Sequence, residues 1–150
     1  FLLDSIGDAY FAQNKLEEGD KYFQQALSVV RELKNEQLKA SIIAKIITKY
    51  SNFAKKYNSE KEYQKAIKVG QKGWNIAKKN QASTYGIAVL IELFTAYEKL
   101  SNYDKIIEIA QEARKFSQNS KIRKEEAELV KILLKLQGNQ YSLRLSNSTC

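Results

Sequence analysis

Three stretches decide the fold once they share one register: LEEGDKYFQQAL at residues 16–27, YQKAIKVGQKGW at 63–74 and YDKIIEIAQEAR at 103–114. Aligned without gaps, they place Gly19 over Ala66 and Ile106, Phe23 over Gly70 and Ala110, and Ala26 over Gly73 and Ala113. Residues three and four apart stand above one another on a helix, so this spacing describes one face. Nine residues upstream of the first column stand Tyr10, Tyr57 and Tyr97. A recurrence at this interval marks a repeated supersecondary unit.

The same ruler runs backwards. Before the tyrosines come Leu3, Ile6 and Gly7; Tyr50, Phe53 and Ala54; and Leu90, Leu93 and Phe94, each set spaced for one helical face. Each unit is therefore a pair of helices. A fourth copy continues with Leu129, Val130 and Leu133, then Ser142, Ser146 and Thr149, and stops inside its second helix. Helices are expected at 2–13, 15–34, 36–57, 60–79, 82–99, 102–117 and 121–136, with units at 1–34, 36–79, 82–117 and 121–150, the last incomplete. Polar joints at Lys34-Asn35, Lys79-Asn80 and Ser117–Ser120 separate them. Asn14-Lys-Leu-Glu17 and Ser59-Glu-Lys-Glu62 have the spacing of capping boxes, and Ser101-Asn-Tyr-Asp104 is a weaker version.

Composition agrees with an all-helical chain. Of 150 residues, 43% are hydrophobic and 28% charged, and none is proline, so no ring interrupts a helix. Gly70 and Gly73 are the exception, since each costs roughly 1 kcal/mol relative to alanine inside a helix. Close packing is the expected reason at Gly73, where the column holds small residues. For Gly70, whose column holds Phe23, two readings stand: Trp74 fills the vacated volume, or the helix is locally underpacked.

Leu3, Ile6, Gly7, Tyr10, Gly19, Phe23 and Ala26 resemble the tetratricopeptide repeat pattern of bulky, small and tyrosine positions on a first helix, then small, aromatic and small positions on a second. Gly70, Phe94 and Ile106 depart from it. The tyrosine-to-tyrosine spacings of 47 and 40, and 36 onward to Leu133, exceed the usual repeat of about 34 residues. In this the chain is similar to the longer-period arrays of bacterial regulatory and signalling proteins. The resemblance implies a right-handed α-solenoid of about three and a half repeats, with first helices lining a concave side and second helices on the convex side.

Enzyme chemistry has little to build on. There is no histidine, the single cysteine is the last residue, Cys150, and the glycines form no phosphate-cradling loop. Asp4 and Asp8, four apart on one helix face, form a carboxylate pair whose ordinary meaning is solvated surface. The chain is expected to be non-catalytic and to need no cofactor or metal. The lone cysteine fits a reducing, cytoplasmic setting. The apolar run Ile87–Ile91 is too short to span a bilayer, and a start on an apolar residue in helical phase, without any methionine, suggests a piece of a longer protein.

The resemblance implies a protein-interaction module that binds a peptide or helical segment through first-helix positions facing away from the core. Carried over, these are Asp4, Ser5, Asp8 and Phe11; Ser51, Asn52, Lys55 and Asn58; and Ile91, Glu92, Thr95, Glu98 and Lys99, with Glu128 and Lys131 in the fourth unit. Where some members clamp a carboxylate tail with basic residues, this chain has Asp4, Asp8, Ala88 and Glu92. The expected partner is a protein segment of basic or mixed charge, with Phe11 and Ile91 receiving an apolar anchor. A second reading starts from charge. Residues 55–79 carry net +6 of the chain's +8, and Lys61, Lys65, Lys68 and Lys72 form one helical stripe. Such a stripe is a solvated face or a surface for nucleic acid or another polyanion. A third reading makes the array a spacer, or a self-associating surface through its incomplete terminal unit.

Overall fold

A computed structural model describes residues 2–119 of the chain. It consists of α1 (Leu2–Ala12), α2 (Leu16–Arg31), α3 (Glu36–Ser59), α4 (Tyr63–Lys79), α5 (Ser83–Lys99) and α6 (Tyr103–Asn119), with no strand among the described residues. The expected helix limits hold to within three residues. The seventh helix, the fourth unit and its residues Glu128 and Lys131 lie outside the described residues. No described helix is long and apolar enough to cross a membrane.

One turn geometry recurs four times. Asn14, Lys61, Gln81 and Ser101 adopt left-handed φ values of 63°, 61°, 52° and 56°. The amide after each reaches back five residues: Lys15 N–H donates to Tyr10 O, Glu62 to Tyr57 O, Ala82 to Ala77 O and Asn102 to Tyr97 O, at 2.8–3.0 Å. The left-handed residues themselves donate to Phe11, Asn58, Lys78 and Glu98. These are Schellman turns, which satisfy the last carbonyls of one helix while launching the next. The next bond in each joins Gly19, Ala66, Gly86 or Ile106 to the carbonyl four residues earlier. Five residues of turn and four of helix make the nine-residue offset from tyrosine to small column. Ala77 and Gly86 follow the same offset between α4 and α5, which the tyrosine columns do not reveal.

The capping boxes do not form. Lys15 and Glu62 are the N-cap residues of α2 and α4, and neither makes a side-chain cap bond. Asn14 accepts a hydrogen bond from the Tyr57 hydroxyl at 3.1 Å instead, and the Ser59 hydroxyl donates to Lys56 O within its own helix. Side-chain caps are supplied by Asn35, whose Oδ1 accepts from Leu38 N–H at 3.0 Å, and by Asn102, which receives the Lys105 amide at 3.4 Å.

Each helix packs on the next in sequence, and α3 also packs against both α1 and α5. α4 rests on two helices at once, which accounts for its glycines. A methyl at Gly73 would stand 2.8 Å from Tyr50 Cβ on α3 and 3.4 Å from Val89 on α5; one at Gly70 would stand 2.9 Å from Leu93 Cδ2 on α5 and 3.8 Å from Ala54 on α3. Leu93 fills the space above Gly70. Trp74 points elsewhere, over Gly86 of α5 and edge-on to Phe116 of α6, with ring centroids 5.2 Å apart.

The same device closes the first pair, where Gly19 lies under the Phe11 ring and against the Gly7 carbonyl. Phe11 then packs edge-to-face with Phe23, Tyr50 and Phe53 at centroid distances of 5.1, 5.6 and 4.9 Å, joining α1, α2 and α3 in one aromatic cluster. Fully burying such a side chain contributes roughly 1.5–3 kcal/mol. Phe11, Phe23, Ile46, Ile47, Tyr50, Val69, Trp74, Val89 and Leu93 are all essentially inaccessible and form the spine of the core.

Candidate functional site

The first helices α1, α3 and α5 carry the residues expected on an open face, and the structure divides them. Phe11 is 1% exposed, because it fills the hole above Gly19, so it is core and cannot anchor a ligand. Asp4 is likewise 1% exposed and Ser51 8% exposed, each turned into a helix interface. Ser5, Asn52, Lys55, Ile91 and Lys99 are exposed; Asp8, Asn58, Glu92, Thr95 and Glu98 are half-buried.

Several of the half-buried residues bind other helices. Lys49 of α3 pairs with both Asp8 and Asp4 of α1, the latter at 3.2 Å. Burial works against the Lys49 ammonium, but its hydrogen bonds to Asp8 and Asp4 outweigh it and raise its pKa above the ordinary lysine value. The acidic end expected from Asp4 and Asp8 is thus partly offset by a lysine that the repeat columns do not single out. Between α3 and α5, Asn58 Nδ2 donates to both the backbone carbonyl and Oε2 of Glu92 at 2.9 Å. These five polar residues hold the first helices side by side.

What stays open is a valley between α3 and α5. Ser41, Lys45, Thr48, Asn52 and Lys55 form an exposed stripe along α3, spaced four, three, four and three. Across from it on α5 lie Tyr85, Ala88, Ile91 and Thr95, with Tyr85 42% and Ile91 37% exposed. Thr48 and Thr95 turn their hydroxyls onto their own helices, donating to Ala44 O and Ile91 O at 2.9 Å, which leaves their methyl groups as valley surface. At its α3 N-terminal end the valley deepens into two adjoining open clefts of about 470 and 660 Å³, which share Ala40, Ala44 and Tyr85. Sequence reading by repeat columns misses Ser41, Lys45 and Tyr85, because they precede the columns. The signal was present in the unbroken stripe leading to Asn52 and Lys55.

The lysine stripe on α4 is differently employed. Lys68 pairs with Glu17 of α2, Lys72 with Asp20 of α2 at 2.7 Å, and Lys65 with Glu62 at 2.5 Å, while Lys61 occupies a left-handed turn position. Asp20 also accepts from the Tyr50 hydroxyl at 2.5 Å; burial, then this carboxylate, pushes the Tyr50 phenol far above its usual pKa. Farther along, Trp74 Nε1 donates to Glu112 of α6 at 3.0 Å, and Lys78 pairs with the same carboxylate. The positive charge of α4 therefore serves largely to bind α4 to α2 and α6. Comparison with protein-family models gives no match, and comparison with curated proteins gives none either, so the functional reading rests on the residues themselves.

Proposed function

We propose that the chain is a tetratricopeptide-like right-handed α-solenoid, acting as a non-catalytic interaction module that receives a peptide or helical segment of a protein partner. The binding face lies on the first helices, centred on the valley between α3 and α5, and its setting is the cytoplasm. The observation that carries this reading is the valley: a stripe of small and polar side chains on α3 facing a stripe on α5 that includes the exposed apolar groups of Tyr85 and Ile91. Preformed helices lose little conformational freedom on binding, which suits such a face to an extended or helical segment. Links between alternate helices support the solenoid: Asp4 and Asp8 to Lys49, Asn58 to Glu92, Glu17 to Lys68, Asp20 to Lys72, and Trp74 to Glu112. The polyanion reading loses force because Lys65, Lys68 and Lys72 already have carboxylate partners.

The test is affinity capture from native extract at low and high salt, with wild type, a valley variant (Asn52→Glu with Ile91→Glu) and a stripe variant (Lys61→Ala with Lys65→Ala) as baits. A protein retained at high salt by wild type and the stripe variant, and lost with the valley variant, is the expected outcome. Retention of nucleic acid alone, released by salt or by the stripe substitutions, would overturn it.

A further inference from the structure

α3 is 24 residues long whereas α5, its neighbour, has 17. The difference is about two turns, added at the α3 N-terminus. Those turns extend alongside the α4–α5 connection instead of ending level with it, and the space between them is the pair of clefts described above. Ala40 and Ala44 form a floor without side-chain bulk, and Tyr85 forms a wall with 42% of its surface open. Nothing among the described residues stacks on or hydrogen-bonds to Tyr85.

The charge lining this space leans positive, with Lys39 and Lys45 set against Glu36. Glu36 is the one carboxylate in either lining, and its side chain is 81% exposed and only loosely paired to Lys39 at 3.8 Å. Lys45, on the floor's edge, has no ion pair among the described residues, and neither has Lys55 farther along the same stripe. Asp4 and Asp8 are held by Lys49 on the side of α3 that meets α1, and Glu92 hydrogen-bonds Asn58; none of the three lines either cleft. Unneutralised charge beside an apolar floor selects a ligand carrying both features.

Resting on the interaction-module reading, we infer that the occupant is an acidic protein segment with a leucine or aromatic side chain, which inserts beside Tyr85 over Ala40 and Ala44 while neighbouring carboxylates meet Lys45 and Lys39. This departs from the partner of basic or mixed charge expected from Asp4, Asp8 and Glu92. A polynucleotide fits less well, since the floor is apolar and offers no row of cations for successive phosphates.

The experiment is selection of a random phage-displayed peptide library on the whole chain. A fluorescein-labelled copy of the enriched sequence is then titrated by anisotropy against wild type, Lys45→Glu, Tyr85→Ala and Ile91→Glu, with circular dichroism melts confirming that each variant folds. Enrichment of glutamate or aspartate around a leucine or aromatic residue, with at least about tenfold weaker binding by Lys45→Glu and by Tyr85→Ala, is the expected result. Basic enriched peptides, or peptides lost with Ile91→Glu but indifferent to Lys45 and Tyr85, would overturn the acidic cleft and leave the valley standing. Absence of enrichment, or binding indifferent to all three positions, would overturn both. Labelled polyuridylate bound in place of peptide, and lost with Lys45→Glu, would overturn the choice of occupant.

Discussion

Gly70 and Gly73 lie one turn apart on α4 yet answer differently to a methyl group. At Gly73 the nearest atom is Tyr50 Cβ at 2.8 Å, fixed beside its backbone; at Gly70 it is the outer end of Leu93, which can rotate. Overpacking costs about 1–3 kcal/mol, and alanine returns up to about 1 kcal/mol of helix propensity. Gly73→Ala should therefore destabilise by about 1–2 kcal/mol and Gly70→Ala should be close to neutral, read from urea unfolding midpoints. Tyr50 gives a second expectation. Its phenol titrates higher in the folded chain than its ordinary value of 10.0, so folding favours the neutral form. The stability this supplies is complete below about pH 10 and is lost as pH rises further; Lys49, also raised, acts in the same direction at higher pH. Between about pH 9 and pH 11 the melting temperature of wild type should fall more steeply than that of Tyr50→Phe. Equal slopes would remove Tyr50 from the account.

At the level of elements, the Schellman turns are the most regular feature and the one the sequence disguises. Three of the four left-handed positions hold Lys61, Gln81 and Ser101, residues that pay about 1 kcal/mol or more for that conformation, while asparagine at position 14 tolerates it. Gln81→Gly and Lys61→Gly should each stabilise the chain by about 0.5–1 kcal/mol by removing this strain, measured as a rise in unfolding midpoint. The spacing Asn-x-x-Glu at 14–17 suits a capping box as well as it suits this turn, and asparagine serves either. Only the path of the chain separates them. α6 offers an optical handle, because Glu112 is the hydrogen-bond acceptor for Trp74 Nε1 and the partner of Lys78. Glu112→Ala should shift tryptophan emission to the red as α6 loosens and cost about 1–2 kcal/mol. An unchanged spectrum would mean that Phe116 alone seats the indole.

Across the whole molecule, the principal contacts run between neighbouring helices and between alternate first helices, with α4 wedged between α3 and α5. Stability in such an arrangement is a sum of local terms and should be highest where an element has packed neighbours on both sides. Amide exchange should accordingly be slowest in α4 from Gly70 to Ala77 and faster in α1, which among the described residues packs chiefly on α2. Uniform protection would show that the helices unfold as a single cooperative block. The ion pairs between alternate helices contribute less than their number suggests, since most lie at the surface, where such pairs are worth about 0–1 kcal/mol. Their effect is to fix which lysines and carboxylates are held between helices.

The sequence by itself determined the helical class, the helix limits and the columns of small residues, because periodicity and the absence of proline act locally along the chain. It also carried the reason for Gly73, a small residue in a small column. The tertiary structure decided which expected surface residues are surface at all. Phe11 and Asp4 were both expected on the open face, yet Phe11 packs on Gly19 and Phe23 of α2 as well as on α3, and Asp4 is covered where α3 lies against α1. Charge was decided in the same way: Asp8 and Lys72, each read along its own helix, are free charges, and each is paired with a residue more than forty positions away. A helical period specifies the direction in which a side chain leaves its own helix. What meets it there depends on the neighbouring helices, and that is why the assembled fold decides which residues of the expected face line the open valley.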